Sequence, residues 1–222
     1  SECIYSLLTA YYLSSHTTGA YSFMNYCGFE TLKWKDVKVE TMNQNSEISK
    51  FITTSLPELE KFIAYKFLYP ILIVSAFLHG SACNYIHLPN YERLEFLGDA
   101  VLDFIVSYYL YENLDEKLSS GDLTFQRQKV VNNKIFADII IKYKLYELLI
   151  INSESVKKSI DNYIQNKTAE CPKILGDLFE SLFGAIYIDC SGDILIILKC
   201  LFKLIQLNIE DLRRKSIVIV LE

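Results

Sequence analysis

Asn90-Tyr91-Glu92-Arg93-Leu94-Glu95-Phe96-Leu97-Gly98-Asp99-Ala100-Val101-Leu102-Asp103-Phe104 sets four acids into a segment that otherwise reads as hydrophobic core. From Leu94 to Leu110 the chain is largely Leu, Phe, Ile, Val, Ala and Tyr, with one Gly and no Pro. That composition predicts a long helix, apolar nearly all round and therefore buried. At about 100° per residue Glu95 and Asp99 lie roughly 40° apart, so their carboxylates point the same way one turn apart. Glu92 and Asp103 extend the row, and their roles stay open.

A second helix repeats the arrangement over Lys173-Ile174-Leu175-Gly176-Asp177-Leu178-Phe179-Glu180-Ser181-Leu182-Phe183-Gly184-Ala185-Ile186-Tyr187-Ile188-Asp189. Asp177 and Glu180, three apart, share a face with Lys173 and Gly184. Four carboxylates on two core helices cannot converge uncompensated, because an unpaired buried charge costs several kcal/mol and like charges raise one another's pKa. Divalent cations are the simplest remedy. An all-oxygen acidic cluster suits hard ions, Mg²⁺ first with Mn²⁺ as a substitute, rather than zinc. One acidic pair alone would be most simply a solvated helix edge. Two pairs, each in an apolar helix with a Gly beside it, point to a shared site.

Glu92-Arg93-Leu94-Glu95-Phe96-Leu97-Gly98-Asp99 resembles the signature of the ribonuclease III family, and Pro172-Lys173 through Gly184-Ala185 resembles its second acidic motif. The Pro-Lys followed by Gly-Asp-x-Phe-Glu-Ser form is most similar to the second catalytic domain of Dicer-type endoribonucleases. The resemblance implies an all-α ribonuclease III endonuclease domain, a helical bundle with a carboxylate metal site. Glu95, Asp99, Asp177 and Glu180 would be its metal ligands and, with Lys173, its catalytic residues. One ion would activate a water and a second, if present, would stabilise the leaving 3′-oxygen, giving 5′-phosphate and 3′-hydroxyl ends. Lys173 would balance charge on the phosphate or on the acids, or else is a solvated lysine. Phe96 matches a residue that inserts into a partner domain. The implied partners are double-stranded RNA and a second domain, either another copy or a neighbour in a longer chain.

Composition bounds the alternatives. The 222 residues, 51% hydrophobic and 22% charged, suffice for one full domain and part of another. Six cysteines (3, 27, 83, 171, 190 and 200) have no CxxC spacing and read as reduced core residues of an intracellular protein, cytoplasmic or nuclear. No uncharged apolar run reaches the roughly 18 residues of a membrane span, so no membrane partner is expected. A net charge of −5 argues against a general nucleic-acid binder, but residues 121–144 carry five bases against two acids. A di-iron carboxylate protein would need Glu-x-x-His repeats, and no Glu or Asp here has His three residues later.

Residues 1–30 read as a helical hairpin, either packing on the domain or the tail of a preceding degenerate ribonuclease III domain. Residues 31–55, polar and aperiodic, read as a linker with at most one short helix. The complete domain is expected over 56–206, starting at Leu56-Pro57-Glu58 with Pro in the first turn. His79, lacking any ligand-spaced acid or second His, reads as structural. Asp122 to Lys134 reads as a helix and its exit, carrying Thr124, Arg127, Gln128 and, past its end, Lys134. By resemblance these, with Asn132 and Glu92, would touch the RNA backbone; the plain alternative is an ordinary surface helix with a few bases. Ile135 to Ile150 reads as one helix, 152–170 as an insertion or short exposed helix, Ile194 to Gln206 as the last helix and 207–222 as a tail. The function expected is cleavage of double-stranded RNA, in small-RNA production or RNA processing; the alternative is a catalytically silent RNA-binding or dimerisation subunit.

Overall fold

The computed structural model of the chain describes residues 46–205, apart from 87, 167 and 168. The N-terminal hairpin, the first part of the linker, the C-terminal tail, Cys3, Cys27, His16 and His87 lie outside the described residues. Within them the chain is helical: α1 (Ser46–Lys50), a π-helical turn (Phe51–Ser55), α2 (Leu56–Ile63), α3 (Pro70–Ala76), α4 (Cys83–Ile86), α5 (Glu92–Asn113), α6 (Ser120–Val130), α7 (Asn133–Lys142), α8 (Glu154–Gln165), α9 (Lys173–Asp189) and α10 (Ile194–Ile205). Short 3₁₀ turns at Gly80–Ala82 and Leu145–Leu148 join some of them. Among the described residues the sole β pairing is an isolated parallel bridge between Leu78 and Ile150.

Local chemistry sets the ends of these helices. Pro57 and Pro70 open α2 and α3 in their first turns, where a missing N–H costs nothing. Ser119 and Asp122 form a reciprocal capping box on α6. The Asn132 side chain accepts from the Ile135 amide and caps α7. Asp193 Oδ1 accepts from the amides of Leu195 and Ile196 at the start of α10.

α9 is the central helix. Its buried residues run almost continuously from Ile174 to Ile186 because α5, α7, α3 and α10 all pack on it. Phe136 of α7 stacks on Phe179 of α9 with centroids 4.5 Å apart. The buried Ser181 hydroxyl lies 2.7 Å from the Ala76 carbonyl, satisfying the end of α3.

Three expectations are corrected. The linker does not extend to residue 55: Ile48 and Phe51, at 1% and 4% exposure, sit in the core, so 46–55 belongs to the domain. Its polar composition hid two apolar anchors three residues apart, too few for a periodic signal. The run 135–150 is not one helix, since α7 ends at Lys142 and Lys144 turns left-handed at φ 55°. Lys134 lies past the end of α6, as expected, in the first turn of α7. Finally, α5 is not buried all round: Phe96, Phe104, Tyr108 and Tyr111 are exposed, within about 120° of one another around the helix.

The connection from α2 to α3 is held by carboxylates. Buried Asp189 at the end of α9 accepts from the Tyr65 hydroxyl at 2.6 Å and from the amides of Leu68 and Tyr69 at 2.9 and 2.8 Å. Glu60 accepts from the Phe67 amide at 2.8 Å. Burial and then the Asp189 bond push the Tyr65 phenol well above its usual range. Asp189→Ala leaves three donors without their acceptor and is expected to cost about 3 kcal/mol or more in denaturant unfolding. An unchanged midpoint would contradict this account of the connection.

Candidate metal centre

Two glycines let α5 and α9 approach backbone to backbone. A Cβ built on Gly98 would lie on the Glu180 carbonyl and 2.9 Å from the Gly184 amide nitrogen; one built on Gly184 would overlap the Leu94 carbonyl. Glu95 stands three residues before Gly98, and Glu180 four before Gly184, so the crossing brings the acids of the two helices together. Glu95, Asp177 and Glu180 each offer a carboxylate oxygen, and these oxygens lie within 4.8 Å of one another.

The surroundings are poorly suited to bare anions. Asp177 is buried, Glu95 and Glu180 half-buried. Burial, followed by the charges of Asp99, Asp177 and Glu95, pushes the Glu180 carboxyl up to about 8. Burial likewise raises Asp177, against the opposing pull of Lys173. Lys173 Nζ lies 2.6 Å from Glu95 Oε1 and 2.9 Å from Asp177 Oδ1, bridging the two helices. The Glu95 bond, foremost, raises the Lys173 ammonium above its ordinary range. Three convergent carboxylates, one of them holding its proton to unusually high pH, fit a hard divalent cation with no soft donor in the set.

The other sequence candidates are placed less uniformly. Asp99 is exposed and falls outside the three-acid group, although its charge reaches Glu180. Glu92 is exposed in the first turn of α5, and its charge is felt by His79 and Cys83. His79 is structural: its Nδ1 accepts from the Ser81 amide, and its ring stacks on Tyr91. Arg127 is turned toward α5, with Nε 3.8 Å from Asp103 and a hydrogen bond to the Ser107 hydroxyl. Asn132 is committed to capping α7 and to the Gln128 carbonyl. Thr124, Gln128 and Lys134 are exposed, the Thr124 hydroxyl donating to the Ser120 carbonyl. Phe96, at 82% exposure, heads the aromatic stripe of α5.

Sequence reasoning passed over Tyr91. It is buried, hydrogen-bonds Asp177, and is pushed up to about 12 by burial and then by the Asp177 charge. It orients a carboxylate of the cluster from outside. Its place just before the first acidic motif was the available signal, but a tyrosine there reads equally well as core.

Residues 92–191 match the Ribonuclease III domain family. The chain is 31% identical over 207 residues to Endoribonuclease Dicer homolog 3 of Arabidopsis thaliana, covering 87% of this chain and 13% of that protein. It is 28% identical over 231 residues to Endoribonuclease dcr-1 of Caenorhabditis elegans, covering 82% and 12%. Thus it spans about an eighth of the length of the curated relatives it matches. The nuclease domain of ribonuclease III from Campylobacter jejuni, in a structure described for flexibility in a region involved in dimer formation, matches with a TM-score of 0.55 and 30% identity. That match covers 68% of this chain and 99% of the other. No helix among the described residues is long and apolar enough to cross a membrane.

Proposed function

Because the chain belongs to the ribonuclease III family, we propose that it is a metal-dependent endoribonuclease that cleaves double-stranded RNA. The observation that carries this reading is the meeting of Glu95, Asp177 and Glu180, from two helices, within 4.8 Å at a glycine crossing. These three residues, with Asp99 at the solvent edge, would hold Mg²⁺, or Mn²⁺ in its place. Bound there, the cation supplies Lewis-acid charge to the phosphate and lowers the pKa of water. Lys173 carries a positive charge at the mouth of the site, and Tyr91 holds Asp177 in orientation. No histidine of the described residues belongs to the acidic group. Duplex RNA of A-form shape is read through 2′-hydroxyls and phosphates; Thr124, Gln128 and Lys134 are the exposed candidates for such contacts. A cytoplasmic or nuclear location, where such RNA is made and processed, accords with this reading.

The experiment is cleavage of a long RNA duplex by the purified chain with Mg²⁺, with and without chelator. Products ending in 5′-phosphate and 3′-hydroxyl are expected only with the metal. A dimeric chain that binds duplex but leaves it intact would instead be a catalytically silent binding subunit.

Cutting both strands needs two such domains. The exposed stripe of Phe96, Phe104, Tyr108 and Tyr111 is the face we assign to the second, whether another copy or a neighbour in a longer chain. Phe96→Glu is expected to weaken self-association by roughly 30-fold or more, since a buried aromatic anchor contributes about 2 kcal/mol or more. Sedimentation velocity over a concentration series checks it, and an undisturbed dimer would take Phe96 out of the interface.

A further inference from the structure

We propose that Lys173 is the resident counter-ion of the acidic site and competes with the divalent cation for it. This rests on the metal-binding reading above. One ammonium touches two of the three clustered acids, Glu95 on α5 and Asp177 on α9, at 2.6 and 2.9 Å. It therefore links the same pair of helices that a cation would link.

A cation held by the same carboxylates would compete with that contact. A hard ion such as Mg²⁺ sits about 2.0–2.1 Å from its carboxylate oxygens. An ammonium still in contact with Glu95 and Asp177 would then face it at close range with the same sign of charge. Lys173 can leave at little cost, because its side chain is 74% exposed and water replaces the lost bonds. Nor is it there for the sake of the helix. As the first residue of α9 it puts positive charge at the positive end of the dipole, where an acid would be favoured and none occurs in the first turn. Its contribution is to the carboxylates, which without it would repel one another in the metal-free protein.

The competition predicts effects of opposite sign on stability and on metal binding, which a purely structural lysine would not produce. Lys173→Met is expected to lower the melting temperature of the metal-free chain, yet to tighten Mg²⁺ binding about 3- to 10-fold in calorimetric titration. Lys173→Arg, which keeps the charge, should leave both near the unmodified values. In the unmodified chain, acetylation of Lys173 read by mass spectrometry should rise when Mg²⁺ is added.

Equal or weaker Mg²⁺ binding by Lys173→Met would overturn the proposal and make Lys173 an organiser of the ligands. So would unchanged acetylation. Binding by Lys173→Met alone, with the unmodified chain silent, would support it in its strongest form. Failure of both proteins to bind Mg²⁺ would remove the metal reading itself, and the exchange with it.

Discussion

Glu180→Gln is expected to abolish duplex cleavage while making the metal-free domain more stable at alkaline pH. Glutamine keeps the volume of the side chain and removes its charge. Loss of an outer-shell partner alone typically lowers metal affinity or activity about 10- to 100-fold, so losing a direct carboxylate ligand should exceed about 100-fold. Stability moves the other way. The Glu180 carboxyl is raised from 4.5 to about 8 by burial and by Asp99, Asp177 and Glu95. A carboxyl raised on folding leaves the native state fully stable below about pH 4.5, costs progressively more as pH rises toward about 8, and levels off above that. Glutamine escapes this cost. Discounted for the solvent that reaches a half-buried group, the gain is about 1–3 kcal/mol above pH 8 and vanishes near pH 4. Urea unfolding at the two pH values, beside a gel assay of cleavage, checks both halves. A variant less stable at high pH would mean that Glu180 is compensated in the metal-free protein, and the case for a cation would lose its electrostatic basis.

Gly184→Ala is expected to destabilise the domain by about 3 kcal/mol and to cost activity beyond the loss of folded protein. In an exposed helix the change would favour the fold by roughly 1 kcal/mol. Here the new methyl would overlap the Leu94 carbonyl and lie 3.0 Å from its carbon. Backbone on α5 cannot yield as a side chain tip would, so the helices must part, and overpacking of this kind costs about 1–3 kcal/mol or more. Gly98→Ala meets the Glu180 carbonyl from the other side and should behave alike. Separating α5 from α9 also separates Glu95 from Glu180, which is why metal affinity should fall even in molecules that remain folded. Gly121→Ala is the control: the nearest atom to its Cβ is Ser119 Oγ at 3.6 Å, an ordinary contact, and a neutral or slightly stabilising change is expected. Thermal unfolding of the three variants separates the crossing from helix propensity; a stable Gly184→Ala would refute the close approach.

The acidic site was legible because its signal is a contradiction. Acids at helical spacing inside Leu- and Phe-rich runs are too costly to persist without a use. Other parts were illegible for equally physical reasons. Arg127 and Asn132 read as RNA contacts by resemblance to the family; whether they are instead occupied by Asp103, Ser107 or a helix end depends on neighbours distant in sequence or on local capping. Asp189 looked like one more helix-end acid. Only the return of residues 65–69 to the end of α9 makes it a buried acceptor of three bonds.

From the order of residues alone came the helical class, the identity of the acids and the family whose motifs they carry, since periodicity and short motifs are local properties of the chain. The tertiary structure decided which acids meet, with Glu95, Asp177 and Glu180 gathered and Asp99 left at the edge, and which face of α5 stays uncovered. Those outcomes depend on the angle and closeness at which two helices cross. That geometry is set by backbone contacts between residues some eighty positions apart, which no local pattern encodes.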